Sequence, residues 1–126
     1  MISAQFVDHL VFRVAKLERT ERFYAAVLGQ CPDRAEDSVM FAVGDTRLFF
    51  TRSVEDQGEP YDKEKVGLNH LAFGVRTIEE LHAIQSQLDT AMVQHSGIEI
   101  DRYGQKEFIW LDDPDGLRVE FYLRSR

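Results

Sequence analysis

The feature that most constrains this chain is an echo. Residues 7–14 read VDHLVFRV and residues 68–75 read LNHLAFGV, with His, Leu, Phe and Val in the same order about half a chain apart. In 126 residues, a segment repeated once at that spacing implies two copies of one packing unit within a single domain spanning 1–126. Both copies are short and rich in β-branched and aromatic residues, which suits strands. Alternation puts Val7, His9, Val11 and Arg13 on one face of the first strand, and Asp8, Leu10, Phe12 and Val14 on the other. In the second strand His70, Ala72 and Gly74 share a face, opposite Leu71, Phe73 and Val75.

The segment after each copy is repeated too. LERTERFYAAVLG carries an irregular apolar stripe of Leu17, Phe23, Tyr24, Val27 and Leu28, with Gly29 placed to stop a helix. TIEELHAIQSQLDTA carries Ile78, Leu81, Ile84 and Leu88 at helical spacing, and its Thr77 and Glu80 fit a capping box. After the first helix, VMFAVGDTRLFFTR reads as two strands joined at Gly44-Asp45. After the second, EFIWL, the turn DDPDG and LRVEFYL form a hairpin. Each half is thus strand, helix, then two or more strands: module one over about 5–52, module two over about 67–124. The polar, charged stretch of about 53–66 between them is expected to be a linker or mobile loop.

In both strands the Leu–Phe–Val face should pack on the following helix, which turns each histidine to the opposite face. If two such sheets curve together, both rings reach a common hollow. The last strand adds a third group. Val119, Phe121 and Leu123 alternate as its packing face, so Arg118, Glu120, Tyr122 and Arg124 take the other, and Glu120 looks into the hollow. A glutamate there is costly unless paired or metal-bound. A salt bridge to Arg118 or Arg124, or a plain exposed strand face, would also account for it. With two histidines on the corresponding face, His9, His70 and Glu120 are the expected metal ligands. Two imidazoles and one carboxylate suit a divalent Fe, Mn, Zn, Ni or Co ion with positions left for water or substrate, and do not choose among them.

Other features exclude more than they assign. A formal charge of −7 argues against nucleic acid as the main partner, because phosphate binding needs a basic footprint. The single cysteine, Cys31, cannot form an internal disulfide. MISAQFVDHL has neither a basic region nor an apolar run of the kind that directs secretion, and no stretch approaches a membrane span, so a cytoplasmic protein without a membrane partner is expected. The neighbours His95 and Ser96 do not make a triad, which also needs an orienting acid.

Four segments, DHLVFRV, ERFYAAVLG, NHLAFGV and DPDGLRVEFY, carry a resemblance that spans nearly the whole chain. In that order they resemble the vicinal oxygen chelate superfamily, which includes glyoxalase I, extradiol dioxygenases, fosfomycin-resistance enzymes, methylmalonyl-CoA epimerase and bleomycin-binding proteins. The resemblance implies an α+β fold of two βαβββ modules forming a cupped mixed β-sheet with helices on the outer face. It also implies a divalent metal in the cup and a homodimer, in some members with modules paired across chains. Carried over by position, the ligands are His9, His70 and Glu120. Aligning TRLFFT with LRVEFY puts Phe49 at the fourth ligand position, where glyoxalase I and its epimerase relatives usually place an acid or amide that helps to move the proton. Phe49 can neither coordinate nor take a proton, so the pattern departs from glyoxalase I. Val11 stands where a common fosfomycin type has threonine. Extradiol enzymes commonly add a His and a Tyr near the metal, for which His95 and Tyr103 are the candidates here.

The reading that results is a metal-dependent enzyme, lyase- or dioxygenase-like, acting on a small oxygen-rich substrate that chelates the metal. The alternatives are a fosfomycin-resistance-type thiol transferase and a non-catalytic binding protein of the bleomycin type. Arg13, Arg118 and Tyr122 are the candidate substrate contacts, with Lys106 and Glu107 as rim groups and Trp110 as a pocket wall. For the arginines a solvated or ion-paired role competes with substrate binding. For Lys106 and Glu107 a turn-flanking charge pair competes, and for Trp110 packing within the sheet.

Overall fold

The fold is that of a computed structural model, which describes residues 1–54 and 59–125. Two compact units divide the chain, Met1–Glu59 and Pro60–Arg126. The first runs β1 (His9–Val14), α1 (Leu17–Leu28), β2 (Asp33–Arg34), β3 (Ser38–Val43) and β4 (Thr46–Arg52). The second repeats it with β5 (His70–Val75), α2 (Ile78–Thr90), β6 (Glu99–Ile100), β7 (Glu107–Asp112) and β8 (Arg118–Leu123). The α+β class and both βαβββ modules are therefore as expected. Each unit is a four-stranded mixed sheet, with strand orders β1-β4-β3-β2 and β5-β8-β7-β6. The permutation is the same in both.

The repeat extends to residue register. In the parallel pair β1/β4, His9 lies opposite Arg47 and Val11 opposite Phe49. In the parallel pair β5/β8, His70 lies opposite Arg118 and Ala72 opposite Glu120. Phe49 and Glu120 thus occupy one equivalent position in two copies of the same ladder, as the alignment of TRLFFT with LRVEFY anticipates.

Each helix covers one face of its own sheet. α1 buries Leu17, Thr20, Tyr24 and Val27 against Val39, Phe41, Leu48 and Phe50. The anticipated stripe included Phe23 and Leu28, which are only half-buried, while Thr20 takes the central place a helical repeat from Leu17 to Tyr24 demands. α2 buries Leu81 and Leu88 against Ile109, Leu111, Val119 and Phe121, with Ile78 and Ile84 at the margins. The helix ends follow their local chemistry. Gly29 adopts φ 65° and donates its N–H to the Ala25 carbonyl, a left-handed cap that other residues enter at a cost. Thr77 and Glu80 close the capping box reciprocally. Lys16, at the matching position of α1, makes no side-chain cap.

β2 and β6 are two residues each, too short for alternation to reveal. The expected linker of about 53–66 falls partly on residues 55–58, outside the described residues. From Pro60 onward the chain is tied to the second unit. The Tyr61 N–H donates to the Asp115 carbonyl at 2.8 Å, and the Tyr61 hydroxyl donates to the Leu68 carbonyl. In the DDPDG turn, the buried Asp113 accepts the N–H groups of Asp115 and Leu117 through Oδ1, at 2.9 Å each, which locks the approach to β8.

Candidate metal and substrate site

The open face of the second unit carries the candidate site. Because β5 and β8 run in parallel register and their other faces pack on α2, His70 and Glu120 must both rise from the uncovered side. Their side chains meet there, with His70 Nε2 3.6 Å from Glu120 Oε1. The imidazole is 42% exposed and the carboxylate 15%, so the glutamate lies at the floor and the histidine at its edge. Of the pairings considered from sequence for Glu120, neither arginine salt bridge is the one found; Arg118 turns instead to Asp112.

The histidine tautomer follows from its neighbours. The Asn69 Nδ2 amide donates to the Lys63 carbonyl at 2.9 Å, which fixes Oδ1 as the atom facing His70. That oxygen lies 2.8 Å from His70 Nδ1 and can only accept, so Nδ1 carries a proton and Nε2 is the ring nitrogen turned toward Glu120. His9 repeats the device in the first unit, its Nδ1 2.8 Å from Asp8 Oδ2. The group beside its ring differs. Phe49 packs edge-on to the His9 ring with centroids 5.9 Å apart, where His70 has a carboxylate.

These donors fit a divalent ion. Two ligand atoms each about 2.1 Å from one ion stand roughly 3–3.5 Å apart, close to the spacing of His70 Nε2 and Glu120 Oε1. Among the described residues no group of three or more His, Cys, Asp or Glu is drawn together as a ready-made metal cage. The second unit brings two such donors together, and the first carries an imidazole, His9, at the equivalent strand position.

Around His70 and Glu120 lies a cavity of about 830 Å³, of the size small ligands occupy. Its walls include Arg118, Arg124, Tyr122 and Tyr103. Arg118 donates Nε–H to Asp112 Oδ1 at 2.7 Å, and its guanidinium lies 4.0 Å from the centre of the Trp110 ring. Tyr122 donates its hydroxyl proton to Asp101 Oδ2 at 2.8 Å, and the Gly104 N–H donates to the same oxygen at 2.6 Å. A Cβ at Gly104 would collide with the Tyr122 hydroxyl, so only glycine permits this closure. The Gly104 N–H first, then the Tyr122 hydroxyl, hold the Asp101 carboxyl below its ordinary range. Conversely, the bond to Asp101 and then burial raise the Tyr122 phenol. Tyr122 is therefore a neutral wall whose oxygen can still accept a hydrogen bond from a ligand.

The other sequence candidates divide clearly. Tyr103 lines the cavity, whereas His95 does not. The His95 Nδ1 accepts the Gly97 N–H at 2.9 Å, and its Nε2 lies 2.6 Å from Asp89 Oδ1, so both nitrogens serve the loop after α2. Lys106 and Glu107 stand at the start of β7 without lining the cavity, and Trp110 supports Arg118 from beneath. In the first unit Arg13 donates to the Arg52 carbonyl at 3.2 Å. Sequence reasoning missed Asp101, Asn69 and Asp112 as supporting residues. Asn69 and Asp112 had a usable signal, each being a polar residue at the end of a strand that carries or adjoins a site residue.

Comparison with known proteins identifies the family and the fold. Residues 6–121 match the family described as the Glyoxalase/Bleomycin resistance protein/Dioxygenase superfamily. YaeR of Escherichia coli (strain K12) is 29% identical, over 97% of this chain and 98% of its own. The crystal structure of a glyoxalase family protein from Enterococcus faecalis superposes with a TM-score of 0.70 at 26% identity, covering 94% of this chain and 97% of that one. Lactoylglutathione lyase from Agrobacterium tumefaciens shares the fold, with a TM-score of 0.71 at 13% identity over 95% of this chain and 94% of its own.

Proposed function

The chain belongs to the Glyoxalase/Bleomycin resistance protein/Dioxygenase superfamily, and from that premise we propose that it is a metal-dependent enzyme acting on a small, oxygen-rich, chelating substrate. The observation that carries this reading is the pairing of His70 Nε2 with Glu120 Oε1, with the imidazole ring oriented by Asn69 through Nδ1. His9, His70 and Glu120 would hold the metal, a divalent Fe, Mn, Zn, Ni or Co. Bound there, such an ion would supply Lewis acidity, stabilising negative charge that develops on substrate oxygens.

The remaining work falls to the chain itself. Asn69 keeps the His70 proton on Nδ1. Arg118 orients an anionic part of the substrate, and Tyr122 accepts a hydrogen bond from a substrate hydroxyl. Glu120 stands without a second carboxylate at the matching register position, since Phe49 occupies it. That favours lyase- or dioxygenase-like chemistry over an isomerisation that needs two proton-moving groups. We read the protein as a cytoplasmic homodimer. No helix among the described residues is long and apolar enough to cross a membrane, and Val7 and Val11 leave apolar surface exposed beside His9.

The test is metal content after purification without added metal, followed by reloading after chelation. About one divalent ion per chain, lost in His70→Ala, is the expected result. Iron or manganese would direct substrate trials to aromatic diols with oxygen uptake; zinc, nickel or cobalt would direct them to thiol addition, lyase and isomerase substrates. Failure to take up any divalent ion, or unchanged affinity in His70→Ala, would overturn the reading and leave a metal-free binding protein.

A further inference from the structure

We propose that the ligand of this cavity carries a carboxylate beside its chelating oxygens, and that the Nη fork of Arg118 receives it. For the chelating oxygens the inference rests on the proposed function; for the carboxylate it rests on the way Arg118 is held.

Register places Arg118 directly across the ladder from His70. Its guanidinium is restrained twice, by Asp112 at Nε and by the Trp110 face beneath. Trp110 is itself fastened, its Nε1–H donating to Glu99 Oε1 at 3.1 Å. Had the ion pair with Asp112 been the purpose, a two-pronged contact through the Nη atoms would be the stronger arrangement. The contact with Asp112 is made at Nε, so neither Nη atom is engaged by it, and the guanidinium, its plane already set, belongs to a residue that lines the cavity. A flat, pre-oriented fork matches a carboxylate and loses little entropy on binding one.

The first unit shows that strand geometry alone does not require this. Arg47 is the register equivalent of Arg118, and it is exposed. Ala42 stands opposite it where Asp112 stands opposite Arg118, and Met40 faces Phe49 where Trp110 faces Glu120. Among the described residues, anchor and platform occur at this register position in the unit that has the His–Glu pair and not in the other. Of the carboxylates lining the cavity, Glu120 belongs to that pair and Asp101 is occupied by Gly104 and Tyr122. Arg76 and Arg124 line the same cavity and add positive potential.

The experiment compares 3,4-dihydroxybenzoate with 3,4-dihydroxybenzamide, which share the chelating oxygens and differ in charge, by calorimetric titration of the zinc-loaded full chain. The acid should bind about 10- to 100-fold more tightly than the amide, as a charge-assisted bidentate contact implies. Arg118→Gln should bring that ratio near one without altering zinc uptake, and Arg118→Lys should restore part of it. Emission from Trp110, the chain's one tryptophan, should shift with the acid and not with the amide. Equal affinities in the unmodified chain, a preference that survives Arg118→Gln, or zinc uptake with neither probe binding would each overturn the proposal. Should the chain take up no metal, benzoate against benzamide on the metal-free chain asks the same question. The preference for the acid is expected to persist there, and its absence would overturn the proposal separately from the metal reading.

Discussion

The two units share a ladder and differ in what they place on it. His9 and His70 start equivalent strands, and each gives its Nδ1 to the side chain just before it. One step along the partner strand the copies diverge, to Phe49 in the first unit and Glu120 in the second. On its open face the first unit sets Val11, Phe49 and Met40 side by side where the second has Ala72, Glu120 and Trp110. The second carries a cavity edged by carboxylates and arginines. Beneath the sheets the bias is matched: Phe12, Tyr24, Phe41 and Phe50 form an aromatic cluster in the first unit, while Phe73 and Phe121 are the paired rings in the second. Duplication preserved the backbone hydrogen-bonding plan, which any residue can satisfy, and left the side chains on the uncovered face free to separate in role.

Substitutions at equivalent positions sharpen that contrast. The largest effect is expected in the aromatic cluster. Phe50, fully buried and stacked on Tyr24 at 4.4 Å, should cost about 3–5 kcal/mol when changed to Ala, within the range for large-to-small core changes. Its register equivalent Phe121, with one ring neighbour at 5.6 Å, should sit at the lower end of that range. Denaturant titration of both variants decides it, and equal losses would break the asymmetry claimed for the two cores.

Next come the residues that set the histidine tautomers. Asn69→Ala should lower divalent-metal affinity by about 10- to 100-fold, the usual consequence of removing a ligand's supporting hydrogen bond. Asp8→Ala should do the same through His9. A calorimetric metal titration in which only Asn69→Ala has an effect would show that the first unit's histidine does not contribute equally.

Helix starts supply a smaller contrast. Thr77→Ala should destabilise the second unit by about 1 kcal/mol, whereas Lys16→Asp, which introduces a cap where α1 has none, should stabilise the first by a similar amount. Thermal melts of the two variants, moving in opposite directions, are the check.

The smallest effect is the pH dependence that Asp101 contributes in the second unit. Asp101 has a folded-state pKa below its ordinary 3.8. Its contribution to stability is therefore present above pH 3.8 and is lost as pH falls below that value through the lower, folded one. Asp101→Asn should flatten the slope of stability against pH in this acidic window and leave it unchanged near neutrality. Urea midpoints measured across the window test this.

Much of the fold was legible in the sequence because it depends on local periodicity. Alternation in LNHLAFGV and LRVEFYL was enough to put His70 and Glu120 on the same kind of face. Thr77 and Glu80 announced their helix start, and Gly29 its end, through interactions spanning only a few residues. The alignment of Phe49 with Glu120 was likewise readable, since a period of two fixes register once one pair is matched. Partnerships across strands and loops were not readable. Sequence allowed Glu120 to pair with Arg118 or Arg124. Only the tertiary structure decided that Arg118 turns to Asp112 on the neighbouring strand and lies over Trp110, leaving Glu120 to His70. It also decided that His95 serves the loop beyond α2 while Tyr103 lines the cavity, and that Tyr122 gives its proton to Asp101. The physical reason is one of range. Periodicity states which side of an element a residue occupies, whereas hydrogen bonds and ion pairs select among several groups within a few ångströms, and those neighbours are assembled from distant parts of the chain.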